Sequence, residues 1–129
     1  MRASIDNRRL QHVLKELLDI YSPSGKEEDI CEYVFRYLKR HGASVSKQTV
    51  TGRRFNVLVL PTDKPVEILL IGHLDTVPAV DMDSFGYEEK GDTIYGLGSA
   101  DMKGSISALV TAIEQIVNRY PVQLFFPGR

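Results

Sequence analysis

The strongest constraint on the fold is an unbroken apolar run, residues 68–71, that ends directly at Gly72 and His73. A continuously apolar strand is typical of the centre of a sheet, where helices cover both of its faces. Further along, residues 96–104 read G-L-G-S-A-D-M-K-G; they follow another β-like run and open an amphipathic helix. This succession of strands and helices predicts an α/β fold in which a mixed, mainly parallel sheet is flanked by helices.

Three side chains that could bind a metal follow these strand-like runs: His73, Asp75 and Asp101. Because open α/β sheets build their sites at the carboxyl ends of their strands, we expect all three at one rim of the sheet. Imidazole and carboxylate together suit zinc and related divalent ions. Asp75 is placed to accept a hydrogen bond from the ring nitrogen that does not face the metal, which raises the basicity of the ligand. On these residues alone, a rim histidine hydrogen-bonded to a turn aspartate, without any metal, is an equally good interpretation.

Helical periodicity predicts two helices before these motifs. The first ends where S-P-S-G, residues 22–25, breaks the pattern. Ser24 and Glu27 have the spacing of a capping box for the second helix, and Gly42 is placed to end it. The remaining predicted elements are an edge strand over residues 43–51, strands over 55–60, 66–71 and 121–126, a turn at 88–92 between short strands that end near Tyr95, and a long helix over 106–120.

Composition favours one globular unit and excludes several classes of partner. A chain of 129 residues with 43% hydrophobic residues can bury a core. Its 16 basic and 17 acidic residues form no basic cluster, so we expect no nucleic-acid partner. No apolar run approaches the ~20 residues that span a bilayer, and the first residues lack the apolar core of a signal peptide. We therefore expect no membrane partner and a cytoplasmic location, where the single cysteine, Cys31, has a structural role.

The glycines around Asp101 also suggest a phosphate-binding loop before a helix, but the spacing does not fit one. The sixth position of a G-x-G-x-x-G pattern would be Asp101, whose charge repels a phosphate. Lys103 precedes Gly104, where a P-loop requires serine or threonine. A nucleotide-binding module is therefore disfavoured.

Taken together, I-G-H-L-D-T-V-P at residues 71–78 and Y-G-L-G-S-A-D-M-K-G at residues 95–104 resemble the paired signatures of the M20 metallopeptidase family. This family includes acetylornithine deacetylase, succinyl-diaminopimelate desuccinylase, aminoacylase and carboxypeptidase G2. The motif Y-S-P-S-G at residues 21–25 fits the N-terminal helix-loop-helix of the same family. The resemblance covers almost the whole chain.

The resemblance implies a role for each of the three rim residues. His73 would ligate one metal, Asp101 would bridge two zinc ions, for which cobalt can substitute, and Asp75 would be the catalytic aspartate beside them. A cis peptide bond would join Asp101 to Met102. The implied enzyme is a zinc-dependent hydrolase with a zinc-exopeptidase-like catalytic domain, and its complete form would be a homodimer. It would cleave the amide bond of an N-acyl amino acid or small peptide with a water activated by zinc.

The chain departs from the family pattern after the strand at residues 121–126, where the adjacent Glu-Glu pair of these enzymes is missing. The later acidic and histidine ligands are missing too. We therefore interpret residues 1–129 as the N-terminal portion of an M20-type catalytic domain, without the lid or dimerisation domain and without the C-terminal catalytic portion. Alone, such a chain should be inactive, should bind zinc weakly or not at all, and should self-associate through an uncovered sheet edge. The alternative is an inert fragment or a non-enzymatic α/β binding module.

Overall fold

The computed structural model describes residues 6–60, 65–117 and 124–126 of the chain. Two helices come first, followed by two strands, a third strand that leads into the first motif, and a small hairpin; a turn and a third helix then precede the last described strand. In chain order the elements are α1 (Asn7–Asp19), α2 (Glu28–Arg40), β1 (Val45–Thr51), β2 (Arg54–Val59), β3 (Leu70–Ile71), β4 (Glu88–Lys90), β5 (Thr93–Tyr95), α3 (Gly104–Ile116) and β6 (Leu124–Phe126). The end of the predicted third helix and the start of the predicted last strand, residues 118–123, lie outside the described residues.

The larger sheet has four strands in the order β1-β2-β6-β3. The strand β2 pairs antiparallel with both of its neighbours, β1 and β6, whereas β6 and β3 run parallel, with Leu70 opposite Leu124. The predicted mixed sheet flanked by helices is present, but the expectation that it is mainly parallel is not confirmed within the described residues. A tight connection at Gly52 joins β1 to β2, and only antiparallel strands can be joined in that way.

The core lies between the three helices and strand β2. Helix α1 begins at Asp6, whose carboxylate accepts hydrogen bonds from the backbone N–H groups of Arg8 and Arg9, both at 3.1 Å. Each helix then buries one apolar stripe, as its periodicity predicts. The most deeply buried core side chains are Val13 and Leu17 of α1, Ile30, Val34 and Leu38 of α2, Val57 and Val59 of β2, and Ile106, Val110 and Ile113 of α3.

A cluster of polar side chains connects the start of α1 with the ends of α2 and α3. The guanidinium of Arg9 in α1 donates to the Tyr37 hydroxyl of α2 at 3.0 Å and to the Glu114 carboxylate of α3 at 2.9 Å. The Tyr37 hydroxyl also donates to Glu114. Burial would raise the pKa of Glu114, but these hydrogen bonds outweigh it and leave that pKa below its ordinary value. Elsewhere in α2, Cys31 is buried, and burial raises the pKa of its thiol to about 12, which fits a structural role.

The apolar run at residues 68–71 is where the structure differs most from the sequence prediction. We predicted a central strand covered on both faces, but β3 has only two residues and lies at the edge of the described sheet. Its side chains are uncovered: Leu70 is 42% exposed and Ile71 is 56% exposed. A continuous apolar run identifies a strand that requires covering on both faces, but it does not show whether other elements lie there to cover it.

Within the described residues, no helix is long and apolar enough to cross a membrane.

The exposed β3 edge predicts self-association of the 129-residue chain. Among the described residues β3 has a neighbouring strand on one side only, and residues 68–71 present an apolar, uncharged surface, so two such edges can pair antiparallel with each other. We expect sedimentation velocity to show concentration-dependent association of the unaltered chain. Ile68→Lys should shift the chain toward monomer, because a charged side chain blocks edge pairing. Val80→Lys, at a fully exposed position outside the strand, serves as the control and should leave the association unchanged. An unaltered chain that stays monomeric at all concentrations would contradict this prediction.

Candidate functional site

The two sequence motifs meet beside the end of β3. Gly72 follows the strand, and His73 comes next, with its backbone N–H donating to the Met102 sulfur at 3.3 Å. Met102 belongs to the turn Ser99–Lys103, which leads into α3. The backbone of the first motif is therefore in direct contact with the second motif, 29 residues further along the chain.

The imidazole of His73 lies between the two aspartates that the sequence singled out. Its Nε2 atom is 2.9 Å from Asp101 Oδ1. On the other side of the ring, Nδ1 is 3.2 Å from Asp75 Oδ1 and 3.1 Å from the backbone carbonyl oxygen of Asp75. The Asp75 side chain is buried, at 4% exposure, whereas the Asp101 side chain is 88% exposed. The structure thus brings all three predicted site residues together, with one carboxylate in the protein interior and the other facing solvent.

A third segment, the loop between α1 and α2, contributes a residue that the sequence analysis assigned differently. We predicted that Ser24 caps α2, but the Ser24 hydroxyl donates to Asp75 Oδ2 at 2.5 Å. Glu27 instead accepts the Gly25 N–H at 2.7 Å and a guanidinium N–H of Arg54 at 3.1 Å. The capping-box prediction is therefore wrong, because α2 begins at Glu28 with Glu27 as its N-cap, which leaves the Ser24 hydroxyl free to bind a more distant carboxylate. The signal that could have identified Ser24 is its place in the Y-S-P-S-G motif, residues 21–25.

The turn that contains Asp101 has two unusual features, a cis peptide bond and a buried lysine. The peptide bond between Asp101 and Met102 is cis, as the family resemblance implied. Lys103, two residues after Asp101, has a buried side chain, and its ammonium donates to the Ile20 carbonyl at the end of α1, at 2.7 Å. Burial lowers the pKa of Lys103 to about 8. This contact could not be predicted from the sequence, because a lysine beside a glycine is usually exposed to solvent.

A cleft of about 380 Å³ opens onto these side chains. Its size is suited to a small ligand rather than to a macromolecule. Its wall is formed by Ser24, His73, Asp75, Thr76, Val77, Gly98, Ser99, Ala100 and Asp101. A larger groove of about 660 Å³ between α1 and α2 is lined mainly by charged side chains and contains none of the three predicted site residues. The chemistry therefore points to the smaller cleft.

The donor set around His73 fits one metal ion in part. Two ligand atoms that each lie about 2.0–2.2 Å from a tetrahedral zinc ion are about 3.3–3.6 Å apart. His73 Nε2 and Asp101 Oδ1 are 2.9 Å apart, so they would separate by only about 0.5 Å to admit the ion. A neutral imidazole that donates from Nδ1 toward Asp75 presents a lone pair at Nε2, and this lone pair then faces the Asp101 carboxylate. A cation between the two atoms resolves that repulsion. Among the described residues, however, no group of three or more histidine, cysteine or acidic side chains is arranged to hold a metal.

Comparison with solved structures places the fold in a known class of protein. An M20 family metallo-carboxypeptidase from Sulfolobus solfataricus superimposes with a TM-score of 0.74 at 22% identity, over 96% of this chain and 31% of that chain. Human carnosine dipeptidase 1 superimposes with a TM-score of 0.72 at 23% identity, over 92% of this chain and 31% of that chain. At these identities the likeness concerns the fold alone. The chain therefore has the fold of part of an M20-type peptidase.

Sequence comparison finds the same family. A sequence model of Peptidase family M20/M25/M40 matches residues 69–127, so this part of the chain carries an M20 peptidase sequence and the resemblance drawn from its motifs is confirmed. A Pyrococcus abyssi protein with the provisional name LysW-lysine/LysW-ornithine hydrolase is 39% identical over 103 residues, which cover 78% of this chain and 27% of that protein. A protein of Emericella nidulans named probable carboxypeptidase is 36% identical over 126 residues, covering 93% of this chain and 30% of that protein. The chain thus spans less than a third of the length of these relatives.

The glycine that starts the Asp101 turn provides a test of how tightly the two motifs pack. Gly98 has φ 81°, and a Cβ atom there would lie 2.6 Å from the Thr76 methyl carbon. Gly91, in the β4–β5 hairpin, has φ 63° but open space around it. We expect Gly91→Ala to lower the free energy of unfolding by the backbone cost alone, about 1–2 kcal/mol. Gly98→Ala should lower it further, because Thr76 must also move. Urea unfolding of both variants measures the difference, and equal losses would show that the two turns are not packed as described.

Proposed function

We propose that this chain carries the metal-binding turns of a zinc-dependent hydrolase that cleaves the amide bond of an N-acyl amino acid or a small peptide. The observation that carries the proposal is the placement of the His73 ring between Asp75 and Asp101 in a cleft of small-ligand size. The M20 sequence and fold support the same chemistry, because the named relatives include a carboxypeptidase, an amino-acid hydrolase and a succinyl-diaminopimelate desuccinylase.

In this proposal His73 and Asp101 hold the metal. The ring presents Nε2 and the exposed carboxylate presents Oδ1, which are the two atoms that already face each other. A bound zinc ion would supply Lewis acidity, polarising a substrate carbonyl and lowering the pKa of water. The remaining ligands and the general base must come from outside the described residues, since these provide no three-ligand group.

Asp75 acts through His73 rather than on the substrate. Its backbone carbonyl is the hydrogen-bond partner of Nδ1, and its buried carboxylate lies 3.2 Å from the same nitrogen, so the residue keeps a proton on Nδ1 and leaves Nε2 available as a ligand. A negative charge beside Nδ1 also increases the electron density that the ring offers at Nε2. In this location Asp75 orients and strengthens the histidine ligand.

The cleft sets the class of substrate that we propose. Its lining includes the hydroxyl-bearing residues Ser24 and Ser99 and the exposed side chain of Val77. Such a mixture of hydrogen-bonding and apolar groups suits an acyl chain beside a polar amide. We further propose that the protein acts in the cytoplasm, where the reduced, buried thiol of Cys31 is stable.

Metal binding is the first test of this proposal. We expect the unaltered chain to bind Zn²⁺ with micromolar or weaker affinity, because two protein ligands hold zinc less firmly than the three or four of typical sites. His73→Ala should weaken binding at least ~10-fold, because it removes one of the two ligands. Isothermal titration calorimetry gives both affinities.

His12→Ala is the matched control, since His12 is an exposed histidine on α1 and does not line the candidate cleft. It should leave the affinity unchanged. Equal loss in the two histidine variants would indicate non-specific binding. Nanomolar affinity of the unaltered chain would contradict the two-ligand arrangement and indicate a self-sufficient metal site.

Catalysis is the second test. We expect the 129-residue chain to give no turnover of N-acetyl or N-succinyl amino acids in the presence of added Zn²⁺ or Co²⁺. A positioned general base is typically worth ~10²- to 10⁴-fold in rate, and no described residue of the cleft other than the three already assigned can serve as one. Chromatographic detection of the released amino acid is the measurement. Turnover that disappears in His73→Ala would show that the chain contains a complete active site.

A further inference from the structure

We propose that Ser24 is a positioning residue of the candidate site: its hydroxyl fixes the Asp75 carboxylate in the rotation that presents Oδ1 to His73 Nδ1, and thereby directs Nε2 of the ring toward Asp101. The part of this inference that concerns metal affinity rests on the function proposed above. The part that concerns the orientation of Asp75 rests on the contacts of the chain alone.

The two oxygens of Asp75 have different partners. Oδ2 accepts the Ser24 hydroxyl at 2.5 Å, and Oδ1 lies 3.2 Å from His73 Nδ1. A carboxylate is planar, so holding one oxygen sets the direction of the other. The torsion that turns an aspartate carboxylate is intrinsically broad, so without a partner for Oδ2 the group can rotate away from the ring. The Ser24 hydroxyl is a donor that restricts this rotation.

The position of the Ser24 hydroxyl is itself set by the backbone. The Ser24 N–H donates to the Thr76 carbonyl at 3.1 Å, and the Thr76 N–H donates to the Ser22 carbonyl at 2.9 Å. Pro23 and Thr76 form a parallel bridge, so this loop runs beside the motif that contains Asp75. The Ser22 hydroxyl adds a further hydrogen bond to the Leu74 carbonyl at 2.9 Å. Ser24 therefore approaches Asp75 from a paired backbone segment and loses little conformational freedom on making the contact.

The contact is also stronger than an ordinary surface hydrogen bond. Asp75 is only 4% exposed, so bulk water competes weakly for its oxygens. A hydroxyl that donates to a carboxylate forms a charge-assisted hydrogen bond, which is shorter and about twice as strong as one between neutral groups. Ser24 lies in the same cleft as Asp101, so both sides of the His73 ring are controlled within one site. Groups that orient a histidine ligand in this way typically change metal affinity 10- to 100-fold when they are removed.

Three substitutions at Ser24 separate the hydroxyl from the volume of the side chain. Ser24→Ala removes the donor. Ser24→Thr and Ser24→Val are nearly isosteric with each other and differ in the hydroxyl. Ser84→Ala is the control, because Ser84 donates to Asp81 at 3.1 Å in an exposed serine–aspartate pair outside the cleft. Urea unfolding of every variant shows which of them keep the stability of the unaltered chain.

The first measurement is the long-range ¹⁵N–¹H spectrum of the His73 ring in the metal-free chain at constant pH. The Nδ1 atom of His73 is hydrogen-bonded to the Asp75 backbone carbonyl and has the Asp75 carboxylate beside it at 3.2 Å. The Nδ1–H proton of the unaltered chain and of Ser24→Thr should therefore resonate at low field. In Ser24→Ala and Ser24→Val it should move upfield, since the carboxylate is free to turn away and only the neutral carbonyl stays next to Nδ1. Ser84→Ala should match the unaltered chain.

The second measurement is the affinity for Co²⁺ from its visible absorption. We expect Ser24→Ala and Ser24→Val to bind about 10-fold more weakly than the unaltered chain, with Ser24→Thr close to it. An unchanged Nδ1–H signal in both Ser24→Ala and Ser24→Val overturns the proposal, and so does a Ser24→Thr variant that behaves like Ser24→Val. If no variant binds Co²⁺ but the Nδ1–H signals follow the hydroxyl, the metal function fails while the positioning role of Ser24 stands. If Ser24→Ala loses stability, the isosteric Thr and Val pair still decides the question.

Discussion

The imidazole of His73 depends on carboxylates that face both of its nitrogens, and this arrangement requires three separate parts of the chain to meet. Asp75 comes from the same turn as His73, Asp101 comes from the turn before α3, and the hydroxyl that contacts Asp75 comes from the loop after α1. The ring contacts are 2.9 and 3.2 Å long, so a shift of less than 1 Å in any of these segments would separate the partners. Much of the surrounding structure serves to prevent such a shift.

The packing that holds these segments is mostly polar. Lys103 carries its ammonium through the interior to the carbonyl of Ile20, which connects the Asp101 turn to the end of α1. A buried ammonium requires such an acceptor, because an unpaired charge in the interior costs several kcal/mol. Ser22 and Thr76 join the loop after α1 to the first motif through backbone hydrogen bonds. Gly98 allows the Asp101 turn to lie directly against Thr76. Hydrogen bonds and close contacts between its turns therefore hold the site together, in addition to the packing of the apolar core.

The sequence predicted the helices well and the sheet less well, for a physical reason. A helix such as α2 buries one stripe of residues, and its 3.6-residue periodicity is visible in the chain whatever its neighbours are. The direction of a neighbouring strand leaves no comparable pattern, so the antiparallel pairing of β2 with β6 was not foreseen. The run at residues 68–71 has the composition of a covered strand, yet its side chains are exposed in this chain. Composition records what a segment requires, whereas exposure depends on which other elements lie against it.

The sequence by itself determined the α/β class, the three helices and the resemblance to the M20 family, and it indicated His73, Asp75 and Asp101 as candidate site residues, because these follow from local periodicity and from short motifs with defined spacing. Only the tertiary structure decided that His73 lies between the two aspartates, that Ser24 binds Asp75 instead of capping α2, and that Lys103 is buried. These contacts join residues that are 28, 51 and 83 positions apart in the chain. A side chain that can satisfy either a nearby backbone group or a distant carboxylate has the same local sequence in both cases, and the folded geometry alone selects the partner.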